Sequence, residues 1–209
     1  MAEPLEDPRL QPLLRELQVD YSTPFVAPGA ADQQIELAHY KAGRDANYVF
    51  VSRTASGQDS SAVPNSVTID PKNISGTTII YDVTAEALQG KARPFACDLG
   101  EGGRVYAILP CQIEEIDLRV EKNKFGDVRV HVAFLDASGG RLEAAMPFAR
   151  WLTDSRGSKH RETFWTTDRA GTSSQWLRWG KGHSGKSWTV TVRSLLTGRT
   201  KSAQFEKQV

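Results

Sequence analysis

Residues 128–134 read Val-Arg-Val-His-Val-Ala-Phe, with an apolar side chain at every second position. That period puts Val128, Val130, Val132 and Phe134 on one face of a strand and Arg129, His131 and Ala133 on the other. The same grammar fills most of the chain. Ile35 and Leu37 alternate with Glu36 and Ala38, Gly43–Asp45 reads as a turn, and Tyr48–Arg53 reads as the next strand. Polar residues 54–66 read as a loop. Val67 and Ile69, then Thr77–Val83, continue the strand pattern, and residues 93–109 predict a hairpin about Gly100-Glu101-Gly102-Gly103. Past Pro110 the pattern restarts with Ile113, Ile116, Leu118 and Val120. Strands 128–134, 145–152, 161–166, 175–179, 188–195 and 200–205 follow, with turns at 136–140 and 196–199. Six short strands over about 75 residues, then seven over about 100, predict an all-β chain of two tandem β-sandwiches. The second is immunoglobulin-like in its strand arithmetic, without the Cys…Trp…Cys signature of antibody domains.

One segment breaks the period. Asp7 and Pro8 suit a helix start, and Leu10, Leu13, Leu14 and Leu17 form one helical stripe, which predicts a helix over 7–18. Charge then divides the chain. The total over 209 residues is +1, yet residues 1–110 carry 9 basic and 14 acidic side chains and residues 111–209 carry 17 and 11. All five Trp fall in the second part. The expected organisation is a helix and linker over 1–33, a β-sandwich over 34–110 and an immunoglobulin-like β-sandwich over 111–209. With 39% apolar and 24% charged residues the composition is that of a soluble protein with real cores. Near-neutral charge argues against nucleic acid as a partner, and no run approaches the roughly 20 apolar residues of a membrane span. The opening MAEPLEDPRL lacks the pattern of a signal peptide, as in a cytosolic chain or a piece whose leader is missing.

The sharpest motif is Gly180–Ser187, which matches the GxxxxGK[ST] pattern of phosphate-binding loops. That chemistry needs a helix after the loop, because the helix N-terminus holds the phosphate. Trp188-Thr189-Val190-Thr191-Val192 alternates like a strand, so the segment reads as a turn between strands. His39, His131, His160 and His183 show no ligand spacing, and Cys97 and Cys111 have neither zinc spacing nor, on the expected hairpin, the geometry of a disulfide. Both read as small apolar fillers. Glu114 and Glu115 point to opposite faces of a strand and make no carboxylate pair. The sequon Asn73-Ile74-Ser75 matters only in a glycosylating host. No catalytic residue, cofactor or metal site is expected. The tryptophans remain: an exposed indole can stack on a sugar ring, with Arg150 and Arg178 as neighbouring donors. Trp188 alternates with Val190 and Val192 and reads as core, and Trp176 and Trp179 point to opposite faces. Trp151, Trp165 and Trp179 are the candidate glycan contacts.

Several runs resemble a known family. Glu36–Val51 with Ser52-Arg53, Val67–Asp70, Ile80–Val83, Phe95–Leu99 and Val105–Leu109 are similar to the C-terminal accessory β-sandwiches of bacterial glycoside hydrolases. Val128–Gly140, Leu152–Gly157, Thr167–Gly171 and Gly185–Gly198 resemble the immunoglobulin-like or macroglobulin-like module that follows such sandwiches in large extracytoplasmic proteins, especially of planctomycete type. The resemblance runs over about residues 34–205. It implies a non-catalytic accessory region of a larger carbohydrate-active or cell-surface protein, placed outside the cytoplasm, with polysaccharide or the parent's catalytic part as partner. It also puts a turn at Gly180–Ser187. The alternatives are a carbohydrate-binding module using exposed Trp, a protein-interaction module pairing through an edge strand, and a nucleotide binder using Lys186.

Overall fold

The computed structural model describes residues 7–19, 35–53, 66–69, 79–91, 94–98, 103–177 and 187–206. Among these residues one helix, α1 (Gln11–Leu14), precedes fifteen strands: β1 (Gln18–Val19), β2 (Ile35–Lys41), β3 (Asn47–Arg53), β4 (Ser66–Ile69), β5 (Ile79–Asp82), β6 (Ala87–Gly90), β7 (Phe95–Asp98), β8 (Arg104–Leu109), β9 (Glu115–Lys122), β10 (Val128–Leu135), β11 (Pro147–Asp154), β12 (Thr163–Thr166), β13 (Thr172–Trp176), β14 (Ser187–Ser194) and β15 (Thr200–Glu206). They form a six-stranded sheet β1-β2-β3-β8-β5-β6, a two-stranded ribbon β4-β7, a three-stranded sheet β13-β10-β9 and a four-stranded sheet β12-β11-β14-β15. The chain is all-β and antiparallel throughout its described pairings.

The centre of the six-stranded sheet explains its surroundings. Tyr48, Val49, Phe50 and Val51 of β3, all four residues of β5 and Val105–Leu109 of β8 are buried, so both faces need cover. On one face Val49, Val51, Ile80, Tyr106 and Ile108 pack against Ile69, Phe95 and Cys97 of the β4-β7 ribbon. On the other, Tyr48, Phe50, Ile79, Tyr81, Val105, Ala107 and Leu109 join one apolar cluster with Leu10 and Leu13 of the N-terminal segment and with the core of the last seven strands.

Those seven strands close a second sandwich. Register places Val128, Val130, Val132 and Phe134 of β10 with Val120, Leu118 and Ile116 of β9 on the inner face of one sheet. Phe148 and Leu152 of β11, Trp188, Val190 and Val192 of β14 and Phe205 of β15 share the inner face of the other. Sheets of three and four strands in this order make it immunoglobulin-like, with β12 at the edge of the β11-β14-β15 sheet.

Four turns in this sandwich share one design. Asn123-x-x-Gly126, Asp136-x-x-Gly139, Asp154-x-x-Gly157 and Asp168-x-x-Gly171 each bond the first residue's N–H to the carbonyl four residues on, and the glycine N–H back to the first carbonyl. The leading side chain accepts backbone N–H groups, as when Asp136 Oδ1 takes those of Ser138 and Gly140, both at 2.8 Å. This is the three-residue hairpin loop closed by a left-handed residue. Hydrogen bonds from Ser138 hold the Asp136 carboxyl below the usual range, and bonds from the backbone of Ser158 do the same for Asp154.

The turn between β2 and β3 locks the two sheet systems together. Ala145 donates to the Ala42 carbonyl at 2.9 Å, Arg44 and Asp45 donate to the Glu143 carbonyl, and Glu143 donates to Asp45 Oδ2 at 2.8 Å. Tyr48 donates to the Ala145 carbonyl at 2.8 Å from a fully buried position. Gly43 has φ +97, and a Cβ there would lie 2.5 Å from the carbonyl oxygens of both Arg169 and Glu143. Ion pairs rim the junction: Glu86 meets Arg9 at 3.5 Å and Arg193 at 3.3 Å, and Arg193 reaches Glu162 at 3.2 Å. Such half-exposed pairs contribute about 0–1 kcal/mol each. The apolar cluster therefore dominates the junction.

Three sequence expectations are corrected. The helix over 7–18 shrinks to Gln11–Leu14, with Leu10 as an N-cap that makes no side-chain bond. Asp7 instead binds the N–H and guanidinium of Arg9. The chain then extends so that Gln18 and Val19 pair with Lys41 and Tyr40. The hairpin over 93–109 does not form. β7 pairs with β4, and β8 pairs with β3 and β5. β8 is apolar on both faces and suits a sheet centre, whereas Ala96 between buried Phe95 and Cys97 is exposed, which suits a covering ribbon. The strand expected at 175–179 lies at Thr172–Trp176, because the Asp168 turn starts it early.

Gly43→Ala is expected to destabilise the chain by about 1–3 kcal/mol in urea denaturation, since a side chain there is both strained and obstructed. Burial pushes the phenols of Tyr48, Tyr81 and Tyr106 up. The unfolded chain releases phenol protons from about pH 10, so this stability is complete below that pH and is lost as pH rises further. Tyr48→Phe should cost about 1 kcal/mol at pH 7 and show a shallower decline above pH 10 when melting is followed by circular dichroism.

Candidate functional site

The strand register decides where each tryptophan points. On β11, Trp151 stands opposite Thr191, whereas Phe148, Arg150 and Leu152 stand opposite Ser194, Val192 and Val190. Trp151 thus lies on the outer face of the four-stranded sheet. Trp165 of β12 stands opposite Phe148 and so lies on the inner face. The structure does not bring Trp151 and Trp165 onto one surface. Trp179 lies outside the described residues, as do Arg178, His183, the sequon at 73–75 and residues 180–186 of the glycine-rich motif. β14 begins at Ser187, so a strand and not a helix follows Lys186. That removes the helix N-terminus a phosphate-binding loop uses.

Each half-buried tryptophan carries a cation. Trp151 packs against the shared cluster and has Lys159 Nζ 4.1 Å from its ring centre. Lys159 reaches it because the Asp154 turn folds the chain back, bridging Lys159 to Thr153. Trp165 has the Arg150 guanidinium 4.6 Å from its ring centre and donates its indole N–H to Thr163 Oγ1 at 2.9 Å. Such stacking stabilises by about 0.5–2 kcal/mol, more where water is excluded. Trp188 is 1% exposed, and the His160 ring centre lies 5.0 Å from its own, the two rings tilted by 49°.

Trp176, which sequence reasoning passed over in favour of Trp179, is 47% exposed on the outer face of the three-stranded sheet. Register sets it opposite Arg129, whose guanidinium lies 5.4 Å from the ring centre. The same face carries His131 bound to Glu121 at 3.0 Å and Arg119 bound to Asp117 at 2.8 Å. The signal that would have found Trp176 is the Asp-x-x-Gly turn at 168–171, which fixes the strand start and hence the parity.

The other candidate chemistry is taken up by structure. Glu114 meets Arg199 and Glu115 meets Lys201. His39 lies 3.0 Å from Asn47 Oδ1. Cys97 is buried, and burial pushes the half-buried Cys111 thiol up, away from reactivity. Among the described residues no group of three or more His, Cys, Asp or Glu could hold a metal ion, and no helix is long and apolar enough to cross a membrane. Arg150 is the outlying group. It is 9% exposed, and burial lowers its guanidinium to about 10.

No family model matches this chain, and no curated protein is similar to it in sequence. Among solved structures it is similar to the chicken interferon gamma receptor alpha chain, at 9% identity and a TM-score of 0.33 over 85% of this chain and 98% of that one. A putative β-galactosidase from Bacteroides fragilis follows at 11% identity and a TM-score of 0.28, over 81% of this chain and 34% of that one. A β-glucuronidase from Parabacteroides merdae has 12% identity and a TM-score of 0.26, over 80% of this chain and 28% of that one. This chain thus spans about a third of each glycosidase. Likeness this distant carries no functional argument.

Trp165→Ala is expected to cost about 2–3 kcal/mol in urea denaturation, because it opens the inner face and strips Arg150 of its ring. Trp176→Ala should change stability by less than about 0.5 kcal/mol.

Proposed function

We infer that the chain is a non-catalytic accessory region of a larger carbohydrate-active or cell-surface protein, in which residues 34–110 and 111–209 are two β modules working as one stiff spacer. The observation that carries this reading is the use of one end of the second sandwich. Its connections 136–146, 167–171 and 195–199 correspond in position to the loops that antibody variable domains use for recognition. Here Glu143 and Ala145 are bonded to the β2–β3 turn, the Arg169 carbonyl abuts Gly43, and Gly198 packs near the Glu86 carbonyl. An end committed to a neighbouring module serves as a joint, and the apolar cluster across it favours a fixed angle.

A stiff spacer predicts that small-angle scattering curves at 0.05 M and 1 M salt superimpose, because screening removes the rim ion pairs but not the apolar junction. A radius of gyration that grows with salt would instead mean the opposite charges hold the modules together. A second reading is neutral-glycan contact through Trp176, favoured by its exposure beside Arg129. On the spacer reading, intrinsic fluorescence stays unchanged across a panel of neutral polysaccharides. A saturable change lost in Trp176→Ala would establish the carbohydrate-binding reading in its place.

A further inference from the structure

Residues 7–19 touch both sheet systems. Gln18 and Val19 of β1 extend the six-stranded sheet by pairing with Lys41 and Tyr40 of β2. Just before them, α1 packs against β12, the end strand of the four-stranded sheet. Leu10 and Leu13 are buried in the apolar cluster that the two systems share, and Leu14 and Leu17 pack against it. Polar ties lie on both sides. Arg9 pairs with Glu86, which itself holds Arg193 of β14. Arg169, between β12 and β13, donates from Nε to the Glu16 carbonyl at 2.7 Å. The carbonyl of this same Arg169 abuts Gly43 of the β2–β3 turn, so one residue serves both the N-terminal segment and the joint.

The segment has little structure of its own. Its helix is one turn long, and the N-cap residue Leu10 makes no side-chain bond. A helix this short does not persist alone in water, because nucleation costs more than so few bonds return. β1 is two residues long and pairs with β2 alone. The shape of residues 7–19 therefore comes from what they rest on, and their apolar hold is concentrated in two leucines. The central ladders of the two systems, β3–β8 and β11–β14, are built without them. Elements held in this way open locally before a fold unfolds as a whole.

We propose that residues 7–19 form a releasable strap that sets the angle between the two modules. Closed, the strap ties β2 to β12 and fixes Arg169 beside the β2–β3 turn. Lifted, it removes two leucines from the shared cluster and the carbonyl that Arg169 holds, so the joint loosens while both sandwiches stay folded. The strap thus makes the stiffness of the joint adjustable. The inference rests on the spacer reading for its two modules and its fixed angle.

The test compares the full chain with Leu13→Ser by residual dipolar couplings, fitted to each module separately. In the wild type one alignment tensor is expected to fit both modules. In Leu13→Ser the shared tensor is expected to be lost, with each module still fitting its own. A shared tensor in both proteins overturns the strap and leaves the spacer reading standing. Separate tensors already in the wild type overturn the spacer reading, and the strap with it. Should Leu13→Ser fail to fold, hydrogen exchange of the wild type in urea below its midpoint decides. The amides of Leu14 and Glu16 should exchange about tenfold or more faster than those of the β3–β8 and β11–β14 ladders. The joint amides of Arg44, Asp45 and Ala145 should fall between the two. Strap amides or joint amides that exchange at the ladder rate overturn the proposal.

Discussion

The six-stranded sheet is apolar on both sides at its centre, and this one demand organises the molecule. Val49 and Tyr48 are neighbours in β3, yet each is buried against a different layer. A sheet of this kind cannot leave a face to water without exposing several large side chains, at roughly 1.5–3 kcal/mol for each one buried. The β4-β7 ribbon covers one face. The opposite face becomes part of the cluster that contains the core of the second sandwich. The docking of the β2–β3 turn, the buried Tyr48 hydroxyl bond and the requirement for Gly43 all serve that packing.

The second sandwich solves a different problem, that of tryptophan in excess. Trp188 fills the interior, while Trp151, Trp165 and Trp176 stand where a ring is half wet. Each has a cation over it: Lys159, Arg150 and Arg129. The concentration of basic residues in the same part as all the tryptophans thus has a local physical counterpart. Arg129 and Trp176 are direct cross-strand neighbours, Arg150 and Trp165 are diagonal ones, and Lys159 reaches Trp151 through a turn. These pairings stabilise the rings and leave Trp176 as the one with the most open surface among those described.

Much of this was legible along the chain. The alternation at 128–134 specified the inner face of β10 residue by residue, because a strand has a period of two and one side must be buried. Trp188 read as core for the same reason, and it is. A strand after Lys186 was expected from its β-branched alternation, and β14 is there. The turns at 136–140 and 196–199 also stand. Other features were illegible. β6, Ala87–Gly90, has no apolar face and exists because Asp82, Tyr81 and Ile80 of β5 offer it backbone partners. The leucine stripe at 10–17 has helical spacing, but only Leu10 and Leu13 are fully buried, and tertiary pairing of Gln18 and Val19 ends the helix.

Alternation and turn residues along the chain were thus enough to set the strand class, the inward side of the clearest strands and several turns. Period and turn chemistry are local, and neighbours along the chain suffice to express them. Which strands share a sheet, that β7 leaves β8 for β4, that Trp151 and Trp165 face opposite ways, and that Arg150 is buried with no carboxylate partner among the described residues are set by tertiary packing. Those outcomes depend on covering apolar faces with segments distant along the chain. A strand's own residues state how many faces must be covered, but not which segment covers them.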